Sequence, residues 1–327
     1  MGVTAPTTET ELLAAARAGD EPAFEALVAP RRAELHAHLY RMLGSVHDAD
    51  DALQDTLLRA WRALAAFEGR SGLRPWLFRI ATNVALTAAG RRAARALPVA
   101  HGPEADPAEG LGTPLAESVW VEPYPTPDEH AEQREDLELA FVAVLQELPA
   151  NERATLLMRE VLGFSARETA EALETTPAAV NSALQRARRQ LGERDGAPAA
   201  LPPDNRVAAL VGRYADALQR GDVDAVLALL TEDATWSMPP MPTWYAGRPA
   251  LERFLREGPA TIAWRHRITS ANGQPAVACY AWDQLEGAFT LFALDVLTLR
   301  GERIAAVTAF IRTVEPGRFG LPEAIEA

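Results

Sequence analysis

Residues 164–191 read FSARETAEALETTPAAVNSALQRARRQL, and this stretch predicts two short helices joined by a tight turn. Ser165 with Glu168 three residues on forms a capping box for the first helix, and Thr176 followed by Pro177 at the first helical position starts the second. Within the second helix Val180, Leu184, Ala187 and Leu191 share one face, which must pack against the first helix. The other face holds Ala178, Asn181, Ser182, Gln185 and Arg189, flanked by Arg186 and Arg188. Amide and hydroxyl groups of this kind can meet base edges, small residues allow close approach, and guanidinium groups suit phosphates. No acidic residue lies between Thr175 and Gly192. This is the punctuation of a helix-turn-helix; a solvated amphipathic hairpin is the plainer alternative. Glu174 stands where such turns favour glycine, at a cost of about 1 kcal/mol if its backbone is left-handed.

Composition narrows the rest. A chain of 327 residues has room for two or three domains, and 48% hydrophobic with 24% charged content is that of a globular protein, not a disordered or fibrous one. The net charge of −13 argues against a generally basic nucleic-acid coat, so any DNA contact must come from local patches held in place by a partner. Every basic residue is Arg, which fits an Ala-rich, GC-rich coding bias at least as well as a need for bidentate phosphate contacts. The single Cys279 excludes an internal disulfide framework, and its neighbours (AVACYAW) predict a buried thiol in a strand. His36 and His38 are two apart on a predicted helix and do not share a face, so neither a metal nor another cofactor is expected. No apolar run approaches the roughly 18 residues of a membrane span, and MGVTAPTTETELL lacks the pattern of a signal peptide; the expectation is a cytoplasmic protein with no membrane partner.

Helical periodicity runs from Thr10 to about Arg95, broken by Gly19, Gly44 and Gly69 to Gly72. Residues 97–127 are rich in proline and acidic side chains and contain no arginine, which predicts an extended, negatively charged linker. A second helical block spans about 128–195 and holds the hairpin. After a Pro-rich break at 196–204, residues 205–316 change character: two helices, then the strand-like runs TWSM, AVACYAW, FTLFALDVLTL and IAAVTAFI.

In DADDALQDTLLRAWRAL, residues Leu53, Thr56, Leu57, Ala60, Trp61 and Leu64 form one apolar stripe. Asp48, Asp50, Asp51, Gln54, Asp55 and Arg59 lie elsewhere on that helix. They either complement the helix dipole or make a protein-docking surface. The following RPWLFRIATNVALTAAGRRAAR combines aromatic, Arg and Asn side chains with a basic end, a mixture suited to phosphate contact and stacking on unpaired bases. A core helix would explain its aromatic residues equally well.

In order, an acidic helix ending in RAW, a WLFRIATN segment with a basic tail, an acidic Pro-rich spacer and a helix-turn-helix introduced by LPANERATLLMREVLGFS resemble the sigma-70 family, specifically the small extracytoplasmic-function (ECF) sigma factors of bacteria. The resemblance covers roughly residues 10–194. It implies a helical region-2 domain at 10–96 and a region-4 helix-turn-helix domain at 128–195, joined by the 97–127 linker. It further implies docking on the beta and beta-prime subunits of core RNA polymerase through Asp48, Asp50, Asp51, Gln54, Asp55 and Arg59. Contacts to the promoter −10 element would come from Trp76, Arg79, Thr82, Asn83, Arg91 and Arg92. The −35 element would be met by Ala178, Asn181, Ser182, Gln185, Arg186 and Arg189. In related proteins the linker lies along a basic polymerase channel, and an acidic linker is compatible with that placement.

Residues 205–316 resemble the SnoaL-like, nuclear-transport-factor-2-like (NTF2-like) family, a curved α+β sheet wrapped by helices around an apolar cavity. The expected architecture is therefore multi-domain, two all-α domains and one α+β domain. Tyr214, Trp236, Met238, Trp244, Tyr245, Trp264 and Phe310 are candidate lining residues for a small apolar ligand, or an interface toward the helical domains. In the steroid isomerases of that superfamily a carboxylate base stands where this chain has Met238, and a thioether cannot abstract a proton, so no catalysis is expected. Asp295, His266 and Glu286 are the polar residues in question, with the carboxylates expected mainly to face solvent. The expected function is an ECF sigma factor tuned by its C-terminal domain. The alternatives are a stand-alone helix-turn-helix regulator and a DNA-binding module fused to an isomerase-like enzyme.

Overall fold

The computed structural model describes residues 8–67, 69, 72–91, 93–116, 119–125, 137–192 and 204–326. Two compact units emerge: Met1–Ala94 with Val144–Arg194, and Arg95–Ala143 with Asp195–Ala327. The two helical blocks expected as separate domains thus form one unit, and the linker belongs with the C-terminal unit.

In the first unit, helix α1 (Glu9–Arg17) starts at a Thr8–Glu11 capping box, and α2 (Glu21–Val28) at Asp20, whose carboxylate accepts from Ala23 N–H. Helix α3 (Arg32–Leu43) ends at Gly44, left-handed with φ 70°. Helix α4 (Val46–Ala63) begins at Ser45, whose Oγ accepts from Asp48 N–H, and α5 (Leu73–Ala89) follows the Gly72 turn. Leu35, Leu39, Tyr40, Met42, Leu77 and Phe78 make the centre, all with under 2% exposure. Burying a Leu or Phe side chain of this kind contributes about 1.5–3 kcal/mol each.

After a four-residue turn, α6 (Pro98–His101), in the second unit, come α7 (Leu139–Glu147), α8 (Ala150–Leu156, continued by a π turn to Val161), α9 (Ala166–Ala172) and α10 (Pro177–Gly192). The last carbonyls of α3 lack helical partners. Gln146 Nε2 donates to Arg41 O at 3.0 Å, and the buried Arg153 donates to Met42 O. Arg153 also reaches Gln146 Oε1 at 2.6 Å and the carbonyls of Gln146 and Leu148 at 2.9 and 3.1 Å. Burial pulls its guanidinium down to about 10, which leaves it charged at neutral pH. Arg74 pairs with Glu34, donates to Leu162 O, and lies over the rings of Phe78 and Phe164, 5.1 Å from each centroid. These charged-group bonds and ring contacts hold the second helical block on the first.

The second unit is built on one sheet in the order β2 (Trp244–Ala246), β1 (Leu230–Ser237), β6 (Arg303–Ile311), β5 (Ala288–Arg300), β4 (Gln274–Asp283), β3 (Trp264–Ala271), with β7 (Ala324–Ile325) also paired to β5. Only β1 and β6 run parallel among these pairs. Register shifts at Cys279/Tyr280 and Thr298/Leu299 are bulges, which bend a sheet. Helices α11 (Asp204–Gln219), α12 (Val223–Leu229) and α13 (Gly247–Glu257) pack on it, α11 against β3 and β4. Strands β2 and β3 and helix α13 were not among the expected elements. The missed signal was Asn272-Gly273, both with positive φ (55° and 67°), the dipeptide of a two-residue hairpin turn.

Candidate functional site

The hairpin of α9 and α10 is built by its caps. Ser165 and Glu168 exchange both capping-box bonds, which holds the Glu168 carboxylate below its usual range. Thr176 Oγ1 accepts from Ala179 N–H at 3.2 Å. Glu174 is left-handed at φ 53°. Val180, Ala183, Leu184 and Ala187 are buried, and Leu191 is half-buried. Ala178, Asn181, Ser182, Gln185, Arg186 and Arg189 are all exposed. Arg186 is not idle there, since its Nε sits 2.6 Å from Glu152, and Arg188 pairs with Glu160 at 2.6 Å.

On α4, Asp51, Gln54 and Arg59 are exposed, and Asp48, Asp50 and Asp55 half-buried. Asp50 meets His36 Nε2 at 3.0 Å and Asp55 meets Arg59 at 2.8 Å. The expected stripe needs correction. Ala49, Ala52, Thr56, Leu57, Ala60 and Leu64 are buried, whereas Leu53 and Trp61 are half-buried. With Phe24, Leu57 and the exposed Leu58 they line an open groove of about 310 Å³ rimmed by Glu21, Glu25, Arg32, Asp50 and Gln54.

Two of the six α5 candidates are in the core. Trp76 is 5% exposed and packs on Phe67 at 4.7 Å; Thr82 is fully buried, its Oγ1 donating to Phe78 O and accepting from His38 Nε2 at 2.9 Å. The plain core reading holds for both, because α5 packs on α3 and α4 through that face. Arg79 and Arg91 are exposed and Asn83 is half-buried; Arg92 lies outside the described residues.

The linker is not a free strand. Within the second unit Ala105 N–H donates to Trp244 O at 3.0 Å, and Leu115 N–H and Trp120 Nε1 both donate to Pro240 O, at 3.0 and 3.1 Å. In return Trp244 Nε1 donates to Gly102 O (2.9 Å), Thr243 Oγ1 to Leu111 O (2.5 Å) and Tyr245 OH to Gly110 O (3.4 Å). At its far end Tyr124 N–H donates to Asn272 Oδ1 and Asn272 N–H to Tyr124 O, both 2.8 Å. Asn272 Nδ2 donates to Leu137 O, and Leu139 N–H to Gln274 Oε1, both at 2.9 Å. Acidic composition said nothing about these bonds, because the linker makes all of them but the Trp120 Nε1 bond with backbone groups. Asn272 and Gln274 are the functional candidates that sequence reading missed.

The second unit also encloses a cavity of about 150 Å³. Trp236, Met238 and Trp264 line it as expected. Trp244, Tyr245 and Phe310 do not: the first two hold the linker, and Phe310, 1% exposed, is a core residue away from the lining. Tyr214 stands behind the wall, its OH donating to Asp295 Oδ2 at 2.8 Å. Asp295, expected to face solvent, is instead 3% exposed and in the wall; burial pushes its carboxyl up to about 6, against the pull of Tyr214 and Cys279. His266 also lines the cavity and burial pulls it down to about 4, while Glu286 is exposed in the β4–β5 turn.

A helix-turn-helix on one helical unit, and a second unit whose curved sheet holds the connecting segment, define a two-part protein. Family models agree: Sigma-70 region 2 matches residues 27–95, Sigma-70 region 4 residues 138–191, and the SnoaL-like domain residues 211–307. The chain is similar to the ECF RNA polymerase sigma factor SigG of Mycobacterium tuberculosis, 42% identical over 95% of this chain and 89% of that protein. It is also similar to the RNA polymerase sigma-H factor of Pseudomonas aeruginosa, 30% identical over 56% of this chain and 91% of that one. The crystal structure of the M. tuberculosis ECF sigma factor SigJ shares the fold, with TM-score 0.61 at 21% identity over 91% of this chain and 99% of that one. The chain belongs to the ECF RNA polymerase sigma factors, in the form that carries a C-terminal SnoaL-like domain. No helix among the described residues is long and apolar enough to cross a membrane.

Proposed function

We propose that this sigma factor reads −35 DNA with the outer face of α10, meets −10 DNA through Arg79, Asn83 and Arg91, and docks on the beta and beta-prime subunits of core polymerase through α4, working in the cytoplasm as a non-enzymatic subunit. The observation that carries this reading is the division of α10. All six recognition candidates are exposed, while the apolar side chains between them are buried. Of the α4 candidates Asp50 and Gln54 rim the Leu53–Trp61 groove, with Glu21, Glu25 and Arg32 completing a charged edge round an apolar floor that suits a helical partner, while Asp48, Asp51, Asp55 and Arg59 lie elsewhere on the same helix. Arg79 and Arg91 supply phosphate contacts and Asn83 a base-edge donor and acceptor; Trp76 and Thr82 act through the core that positions them.

The C-terminal domain acts as a holder of the linker, and so modulates output rather than catalysing a reaction. Elements 25 base pairs apart on DNA are separated by about 85 Å at 3.4 Å per pair. The Arg74–Phe164 and Arg153–Met42 contacts bring the two helical blocks into direct touch, so the blocks must part for both elements to be read at once. A linker held along 102–116 and 119–125 restricts that opening. Run-off transcription with core polymerase tests the reading, comparing the full chain with residues 1–192 on a library of genomic fragments. Initiation that depends on the added protein, at different levels for the two forms, is expected. DNA binding without polymerase and no initiation from either form would refute it.

A further inference from the structure

The cavity in the second unit is a built site. Its walls are aromatic and aliphatic, Trp236, Trp264, Phe254, Phe292, Met238 and Leu218, and its volume of about 150 Å³ is that of a cavity that takes one benzene ring. Three titratable side chains break the lining, His266, Cys279 and Asp295, brought side by side by the pairing of His266 with Cys279 and of Cys279 with Ala293, two residues before Asp295 on β5. Asp295 accepts from Tyr214 OH, the Cys279 thiol donates to Val277 O at 3.6 Å, and His266 Nδ1 is buried without a hydrogen-bond partner. No arginine lines the cavity. A buried polar group without a partner costs roughly 1–3 kcal/mol, and a ligand that supplies the partner recovers it. An acceptor carboxylate beside a neutral imidazole, with the Arg312 guanidinium stacked over the ring of Phe292 and outside the lining, suits a ligand head that donates a hydrogen bond and repels an anionic one.

We propose that this cavity binds a ring-sized apolar molecule carrying one hydrogen-bond-donating head, hydroxyl or amine, seated on Asp295 and His266 beneath Leu111 of the linker. Leu111 and Ile262, 37% and 41% exposed, are the most open of the lining residues and mark the mouth. Leu111 is itself fixed by Thr243 Oγ1 on its carbonyl. A ligand beneath it adds contact to the docked linker and none to a released one, so occupancy and linker docking strengthen each other by the same factor. Binding stands on the cavity alone; only its effect on transcription rests on the sigma-factor reading above.

The test uses the full chain and four one-ring probes: benzyl alcohol, benzylamine, toluene and benzoate. Tryptophan emission and thermal shift report binding without polymerase. Benzyl alcohol or benzylamine is expected to bind at least tenfold more tightly than toluene, with benzoate weakest, and the ratio of the first two tells which head the site prefers. Asp295→Leu is expected to erase the preference over toluene while leaving apolar binding. Ala309→Phe, which fills the cavity from β6, is expected to abolish all binding, and Asp295→Asn provides a milder second variant should either fail to fold. Hydrogen exchange across residues 105–115 is expected to slow at least threefold on adding the tighter probe. Benzoate binding as well as benzyl alcohol, binding that survives Ala309→Phe, or no response to any probe would each overturn the proposal. Binding with unchanged promoter output would overturn the regulatory reading of the C-terminal domain and leave the site standing.

Discussion

Asn272→Gly isolates the clasp at the end of the linker. Asn272 is fully buried at φ 55°, so glycine keeps the turn and the Asn272 N–H to Tyr124 O bond and removes only the side chain. Two bonds vanish, Tyr124 N–H to Oδ1 and Nδ2 to Leu137 O, and both partner residues are buried, 7% and 2% exposed. Each stranded group costs about 1–3 kcal/mol, so the pair costs roughly 2–6 kcal/mol, of which about 1 returns as the left-handed strain of a side chain is relieved. A net loss of about 1–5 kcal/mol corresponds to roughly 5- to 5,000-fold more frequent release of the linker. Hydrogen exchange of the peptide covering residues 119–125 reads this directly, since an amide exchanges at a rate set by the opening equilibrium. Exchange should accelerate there by that factor while α9 and α10 stay unchanged. Unchanged exchange at 119–125 in a folded variant would refute the clasp, and acceleration with identical run-off transcription would refute its role in output.

Other outcomes follow from the same structure. Glu174→Gly should stabilise the helix-turn-helix by about 1 kcal/mol, measured by urea unfolding, because it removes a left-handed side chain at φ 53°. Gln185→Ala and Asn181→Ala should weaken promoter binding by about 1–3 kcal/mol each and relax sequence preference at one −35 position, whereas Arg189→Ala should weaken all promoters alike and lower the salt slope. Asp295→Asn should stabilise the second unit at high pH. The folded carboxyl sits at about 6 against an ordinary 3.8, so its contribution to stability is full below about pH 4 and is lost as pH rises through 6. The variant's advantage is then about 3 kcal/mol at pH 8 and about 2 at pH 5.5, and a pH-independent difference between the two proteins would contradict the assignment.

The α4 and α5 helices show where legibility stops. Their existence and approximate ends followed from periodicity and the glycine breaks, and Gly44 and Gly72 stand at helix ends, whereas the Ser45 cap of α4 is seen only in the structure. Which faces are buried did not follow, since a helix offers several apolar arcs and its neighbours choose among them. Thus Trp76 and Thr82, plausible base contacts on paper, turned inward, and Leu53 and Trp61, a core stripe on paper, line an open groove. The alternating strand β5 left Asp295 equally ambiguous until α11 brought Tyr214 OH to it.

The sequence by itself determined the helix-turn-helix, its Ser165–Glu168 capping box, the polar exposed face of α10 and the change within residues 205–316 from helices to strand-like runs, because these rest on patterns between residues a few positions apart. Tertiary structure alone decided that the linker lies on the C-terminal sheet, that Gln146 and Arg153 satisfy the end of α3, and that His266, Cys279 and Asp295 meet in one cavity. Those contacts join backbone carbonyls and amides to groups up to about 150 residues away, and every backbone amide looks alike in sequence until folding selects its partner.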